Sequence, residues 1–151
     1  CTAPVFIDPV STVKAEKLRG LLGRVHTLKP NRIEAELLSG VKITDDESLR
    51  QAAQALLDQG VQRVFLSLGG DGVLAAQQDE MQRVPICRAE MRNATGAGDA
   101  MMAALVWSFL SGRSLTESAA SGTAAAAIAV ESEETINPSM SAEAVLARAA
   151  K

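Results

Sequence analysis

Residues 93–99 read NATGAGD and combine the residue types best suited to chemistry in this chain. Gly96 and Gly98 flank one alanine, which leaves the main chain bare enough for the close approach of a ligand. The apolar segment that follows predicts a helix, so the N–H groups of Ala97, Gly98 and Asp99 would lie at a helix start, where anions bind. Asp99 would be held there as a carboxylate, ready to accept a proton from a nearby hydroxyl.

This pattern favours phosphoryl transfer to an alcohol, which needs an anion site for the moving group and one base for the proton. A structural interpretation is equally open from the residues alone, because glycine-rich loops turn corners and aspartates cap helices. Two other nucleotide motifs are absent from the sequence. It contains no GxxxxGK[ST], and GGDG at residues 69–72 does not form GxGxxG.

Composition limits the remaining function classes. The chain has 151 residues, 47% hydrophobic and 22% charged, which indicates one globular domain. A net charge of −3 and 3% aromatic residues give no footprint for nucleic acid. Two cysteines and one histidine exclude a Cys/His zinc site. Nothing suggests a disulfide framework, so we expect a cytoplasmic protein. The longest apolar run is too short for a bilayer, so we expect no membrane partner. Because Cys1 is not preceded by Met, we expect a piece of a longer protein.

The elements that would position these residues alternate between strands and helices. Strands are predicted at residues 5–7, 25–28 and 64–68, with an edge hairpin after residue 72 and a weak strand at 84–87. Helices are predicted at residues 14–22, 31–39, 44–59, 99–111, 114–130 and 141–150. Capping-box spacing starts two of them, at Thr44/Glu47 and Ser114/Glu117. This order predicts an α/β fold, a three-layer α/β/α partial domain with a mostly parallel sheet. Ligands of such folds bind beyond the carboxyl ends of the strands.

Four ordered segments make the chain resemble the carboxyl half of the ribokinase-like (PfkB) carbohydrate and nucleoside kinase family. They are NATGAGDAMMA (family signature DTxGAGD), KPNRIE (PN-x-x-E), LGGDG (L-G-x-x-G) and the alanine-rich residues 124–130. Within the family, VFIDPVS and HTLKPNRIEAELLSG are most similar to kinases of the 5′-hydroxyl of a C-nucleoside. Other sugar or nucleoside kinases of the family, and a nucleotide-binding module without catalysis, are the alternatives.

The resemblance implies ATP and Mg²⁺ as cofactors and gives each matched residue a role. Asp99 matches the catalytic base. Gly96, Ala97 and Gly98 match the anion hole, and Asn31 and Glu34 match the segment that orders Mg²⁺ and its waters. The positions matched to the nucleotide are Ser67, Gly69, Gly70, Gly72 and Asn137. From the residues alone, a solvated carboxylate is favoured for Glu34 and a plain hairpin turn for the glycines.

Asn93 departs from the family, whose signature begins with an Asp that helps to bind a potassium-like cation. Asn offers a carbonyl oxygen without charge, which leaves the strength of K⁺ activation open; Ala129 and Ser139 are the other expected neighbours of that cation. Acceptor residues of the family lie mainly in the amino-terminal half, as does the lid that makes relatives homodimers. Among the remaining residues, Lys29 abuts Asn31 and could touch phosphate, but a solvated lysine is favoured. We expect His26 to be structural.

Overall fold

The computed structural model describes residues 2–134 and 136–151. Cys1, on which the expectation of a longer protein rests, and Thr135, in the loop predicted to hold adenine and cation, lie outside the described residues. The chain forms two compact units, residues 1–69 with 73–83 and residues 70–72 with 84–151. Over the described part of the chain, no helix is long and apolar enough to cross a membrane.

One five-stranded sheet runs in the order β1 to β5. Its strands are β1 (Phe6–Ile7), β2 (Thr27–Leu28), β3 (Arg63–Ser67), β4 (Val73–Gln77) and β5 (Glu80–Val84). β1, β2 and β3 are parallel, and β4 is antiparallel to β3. The sheet is therefore a parallel core extended by a hairpin, as the sequence predicts. The predicted strand at residues 84–87 is wrong, because β5 ends at Val84 and Pro85 has no N–H with which to continue the ladder.

The first unit packs its helices against this sheet. Helices α1 (Thr12–Glu16), α2 (Arg32–Ser39) and α3 (Asp46–Asp58) lie in the first unit, and α2 and α3 contact β3. Three consecutive residues of β3 and four of β4 are buried, so both faces of these strands are covered. Helix α1 is shorter than predicted, because Gly20 takes a left-handed conformation (φ 79°) and residues 22–24 form a 3₁₀ turn.

The second unit consists mainly of three helices, α4 (Ala97–Leu110), α5 (Leu115–Val130) and α6 (Ala142–Ala149). α5 packs against both α4 and α6, and small residues allow the close approach. A Cβ atom at Gly122 would lie only 3.1 Å from Cγ of Met101. The buried core of these helices includes Ala104, Ala124, Ala125, Ile128 and Val145.

Candidate active site

Three parallel strands bring part of the predicted site together in the first unit. Asn31 follows β2, and Ser67 ends β3. The two residues form an isolated parallel bridge that extends the ladder beyond β2. The N–H of Ser67 donates to the carbonyl oxygen of Pro30 at 2.9 Å. Asn31 and Ser67 therefore lie side by side at the carboxyl edge of the sheet, where the fold class places ligands.

Helix α2 begins at this edge with a reciprocal capping box. Oδ1 of Asn31 accepts the N–H of Glu34 at 2.9 Å, and the N–H of Asn31 donates to Oε2 of Glu34 at 3.0 Å. Glu34 is only 2% exposed, and its Oε1 atom is buried without a hydrogen-bond partner. The expectation of a solvated carboxylate is therefore wrong, because the box turns the side chain back over the helix start. A buried oxygen without a partner costs free energy, which makes it a fitting ligand for a cation.

Lys29 is also buried, so the expectation that it is solvated is wrong. Its ammonium lies 2.7 Å from Oδ2 of Asp8, and the exposed fractions of the two side chains are 7% and 22%. The two residues directly follow the neighbouring parallel strands β1 and β2, which explains the pairing. Sequence reasoning gave Asp8 no role; the signal that could have found it is that Asp8 and Lys29 each directly follow a strand and each precede a proline.

The LGGDG segment contains glycines of two kinds. Gly72 takes a left-handed conformation (φ 91°), and a Cβ atom there would lie 2.2 Å from the carbonyl oxygen of Val84. Chain packing thus requires a glycine at this position. Gly69 and Gly70, in a 3₁₀ turn directly after β3, are exposed, and nothing lies within 4 Å of an added Cβ atom at either. Gly69 has a left-handed φ of 58°, so its backbone favours glycine even without a packing constraint. Only Gly70 has neither constraint, and its bare backbone is available to a ligand.

In the second unit, helix α4 has an uncapped start. Gly96 occupies the N-cap position with φ 89°, and no side chain hydrogen-bonds the first-turn amides there. Within the described residues, each of the other five helices has a side-chain cap, from Ser11, Asn31, Asp45, Ser114 and Ser141. The helix begins at Ala97, two residues earlier than predicted, so Asp99 falls in its first turn. This start is suited to an anion, since unpaired N–H groups and the helix dipole act together.

Asp99 is exposed and lines a cavity of about 580 Å³. Gly96, Ala129 and Asn137 line the same cavity. The rest of its wall is mostly apolar and consists of Ala100, Ala103, Ala104, Trp107, Ala125, Ile136, Met140, Ser141, Ala142 and Val145. An exposed carboxylate beside a helix start can accept the proton of a hydroxyl that enters this cavity.

The amides predicted to contact adenine and a monovalent cation hold loops in place. Oδ1 of Asn93 accepts the N–H of Thr95 at 2.9 Å, and its Nδ2 donates to the carbonyl oxygen of Glu133 at 3.3 Å. Nδ2 of Asn137 donates to the carbonyl oxygen of Ile128 at 2.6 Å, and its Oδ1 accepts the N–H of Ser139. Asn93 is thus tied to Glu133, and Asn137 is tied to Ile128 near the end of α5 and to Ser139.

The metal-ligand chemistry of the described residues is sparse. No three His, Cys, Asp or Glu side chains of that part of the chain are grouped so that they could hold a metal ion. Mg²⁺ does not need a cluster of three such side chains, because it commonly takes one or two carboxylates and completes its shell with waters and substrate phosphates. Glu34, with its free oxygen, fits that pattern.

The single histidine lies at the amino end of β2. Nδ1 of His26 is 2.8 Å from Oγ1 of Thr27, and its ring stacks on Phe6. Burial, together with the charge of Arg63, lowers the pKa of His26. These contacts agree with the structural role expected of it.

Comparison with known proteins extends the resemblance found in the sequence. The family model for pfkB family carbohydrate kinases matches residues 1–142. Pseudouridine kinase of Escherichia coli K12 is 41% identical over 140 residues, 91% of this chain and 44% of that protein. A putative sugar kinase structure from Clostridium perfringens has a TM-score of 0.91 at 33% identity, over 97% of this chain and 46% of that one. Arabidopsis thaliana ribokinase, complexed with ribose and ATP, has a TM-score of 0.76 at 30% identity, over 85% and 42%.

The chain spans less than half the length of these relatives. The match over nearly all of the chain confirms the predicted fold class, a partial ribokinase-like α/β domain built on a five-stranded mixed sheet. The four sequence motifs, the family model and the solved structures all lead to the same assignment. The chain belongs to the pfkB family of carbohydrate kinases.

Proposed function

We propose that this chain supplies the nucleotide site and the catalytic base of a kinase that transfers the γ-phosphoryl group of ATP to a hydroxyl of a nucleoside or sugar. The observation that carries the proposal is the uncapped start of α4, with Asp99 exposed in its first turn. Residues 1–151 would be the carboxyl-terminal part of one kinase domain. An amino-terminal part would supply the lid, the dimer contact and the acceptor pocket.

In this mechanism, the chain's own groups position the reactants and manage one proton. Asp99 accepts the proton of the acceptor hydroxyl as that oxygen attacks the γ-phosphorus, and the bond from that phosphorus to the β,γ-bridging oxygen breaks, so that ADP leaves. The N–H groups of Ala97, Gly98 and Asp99, which follow Gly96, stabilise the charge that develops on the transferred phosphoryl oxygens. Because these donors are fixed before the ligand arrives, they need no reorganisation during the reaction.

The edge formed by β2, β3 and α2 would hold the nucleotide phosphates and the metal. Oε1 of Glu34 is the free oxygen for Mg²⁺, with Asn31 orienting it or its waters. Mg²⁺ would supply charge that offsets the phosphate oxygens. Ser67, Gly69 and Gly70 would approach the phosphates and ribose.

The loop after α5 is our candidate for the adenine and cation neighbourhood. Asn137 would lie beside the base, while Asn93, Ala129 and Ser139 would surround a monovalent cation such as K⁺. Because Asn93 is uncharged and its Oδ1 already accepts an N–H, we expect K⁺ to activate the enzyme weakly.

We infer that the acceptor is the 5′-hydroxyl of pseudouridine, and similarity to pseudouridine kinase supports this choice. A sugar kinase is the second candidate, because a ribokinase complexed with ribose and ATP has the same fold. The test uses the protein with any residues that flank this sequence retained. ADP release is measured with ATP and, in turn, pseudouridine, 5′-deoxypseudouridine, uridine and ribose.

We expect the highest kcat/KM with pseudouridine, a 5′-phosphate product by mass spectrometry, and no turnover of the 5′-deoxy compound. Faster turnover of ribose than of pseudouridine would mean that the acceptor is a sugar and not a nucleoside. Binding of ATP without transfer to any acceptor would contradict the kinase proposal and favour a binding module.

A further inference from the structure

The ion pair between Asp8 and Lys29 extends the proposed phosphate edge. Phe6 pairs with Thr27 and Ile7 with Leu28, so Asp8 and Lys29 occupy the next register position beyond β1 and β2. The N–H of Lys29 donates to the carbonyl oxygen of Ile7 at 3.0 Å, which fixes the two backbones beside each other. The pair is therefore set by the sheet and not by a chance meeting of surface side chains.

Lys29 and Asn31 lie on the same side of the extended segment that follows β2. Side chains two residues apart in an extended chain point to the same face, and the bridge from Asn31 to Ser67 continues the ladder that far. The Lys29 side chain is thus on the face that carries Asn31. A cation on this face is suited to bind phosphate oxygens.

Asp8 also holds a strained loop. Its Oδ1 accepts the N–H of Val10 at 3.3 Å, while its Oδ2 contacts Lys29. Val10 has φ 64°, a left-handed conformation that a β-branched residue rarely adopts, and is 65% exposed. Backbone strain of this kind is concentrated at functional sites. The strained residue is therefore held by the same carboxylate that contacts Lys29.

Stability alone does not account for the pair. Replacing a buried ion pair by apolar residues is commonly neutral or stabilising, so the pair of Lys29 with the partly buried Asp8 is weak evidence for a stabilising role. A free lysine side chain has many rotamers and loses that freedom when it binds a ligand. A carboxylate that restrains it beforehand reduces that entropy loss.

We infer that Asp8 is a positioning residue that holds the ammonium group of Lys29 ready for the nucleotide phosphates. The inference rests on the proposed function and deepens it. Asp8 itself touches no substrate and acts only through Lys29, so its contribution should vanish when Lys29 is absent.

The test measures dissociation constants by titration calorimetry for a non-hydrolysable ATP analogue with Mg²⁺ and for adenosine. The protein keeps any residues that flank this sequence. We expect Lys29→Met to raise the dissociation constant of the ATP analogue by about 10- to 100-fold and Asp8→Asn to raise it by about 3- to 10-fold. Adenosine should bind all variants within about twofold, since it has no phosphate for the ammonium to contact. Lys42→Met, which removes a 79% exposed lysine paired with Glu36, is the matched control and should change neither constant.

The double variant Asp8→Asn/Lys29→Met separates positioning from folding. It leaves no unpaired buried charge, so its melting temperature should recover towards that of the parent. Its affinity for the triphosphate should equal that of Lys29→Met alone, because the two residues form one unit. Additive losses, or equal weakening of adenosine, would overturn the positioning role.

Failure of the two proposals can be distinguished. A parent protein that does not bind the triphosphate contradicts the proposed function and this inference with it. A parent that binds it, with Lys29→Met binding equally well, contradicts the inference alone.

Discussion

Helices α2 and α4 begin in opposite ways. At α2, Asn31 and Glu34 satisfy each other's amides and leave one buried carboxylate oxygen free. At α4, Gly96 brings no side chain, and the first-turn amides are left open. The first start therefore has an acceptor to spare and is suited to a cation, whereas the second has donors to spare and is suited to an anion.

Helix α5 shows that a capping box by itself is not a site. Ser114 and Glu117 form the same reciprocal hydrogen bonds as the box of α2. Glu117 is exposed, however, so solvent satisfies its other oxygen. What distinguishes Glu34 is its burial, and Glu117 is therefore a natural control for it.

The largest expected effect comes from removing the carboxylate of Asp99 in the first turn of α4. Asp99→Asn should reduce kcat by about 10²- to 10⁴-fold, the usual contribution of a general base. Because Asp99 is exposed, the melting temperature and the ATP affinity should stay near those of the parent. Steady-state kinetics with the best acceptor measure the effect. A near-normal kcat would remove Asp99 from the role of base.

Adding a negative charge at the open start should have the next largest effect. In Gly96→Asp, the new carboxylate lies at the start of α4 and repels a phosphoryl group from the first-turn amides; we expect kcat to fall about 10²-fold. Gly112→Asp is the matched control, since Gly112 lies just beyond the other end of α4 with φ 67° and open space around it. Both variants should lose roughly 1 kcal/mol of stability. Equal kcat values in the two would contradict an anion site.

The capping boxes of α2 and α5 can be distinguished by the Mg²⁺ concentration that variants of each box need for activity. Glu34→Gln keeps an oxygen for the N–H of Asn31 but removes the charge. We expect the Mg²⁺ concentration for half-maximal activity to rise about 10-fold. Glu117→Gln should leave it unchanged, although it alters an equivalent box. If both variants respond alike, Glu34 has no special relation to the metal.

The smallest effect concerns pH and the box of α5. Hydrogen bonds from the Ser114 backbone N–H and side chain lower the pKa of Glu117. In the acid range, the unfolded chain therefore binds more protons than the folded chain, so this box stabilises the fold above the ordinary glutamate pKa of about 4.3. The stabilisation is lost as the pH falls through the lowered pKa. Melting temperatures are measured between about pH 3 and pH 6. They should fall less steeply with decreasing pH for Glu117→Gln than for the parent.

Sequence reasoning was most successful where the determining contacts are local. The Ser114/Glu117 box was predicted correctly, because both partners lie within one helical turn. The predicted box at Thr44/Glu47 was wrong by one residue, since Asp45 and Ser48 offer the same chemistry and form the bonds instead. Alternation of strands and helices was sufficient for the fold class.

The burial of residues at the candidate site could not be predicted from local sequence patterns. The environment of Lys29 depends on Asp8, twenty-one residues earlier, and on the register between β1 and β2. No local pattern contains that register. The roles assigned to Asp99, Asn137 and the cation neighbours remain predictions, because they concern ligands and not the chain's own contacts.

The two kinds of glycine in LGGDG imply two kinds of selection. Any side chain at Gly72 collides with the backbone at Val84, so a mutational library should lose those variants through low abundance in the cell. Variants at Gly70 meet no atoms of the chain and should accumulate normally, and they would be eliminated only when growth depends on the reaction. One short motif would thus be preserved by the quality-control machinery at one position and by metabolism at another.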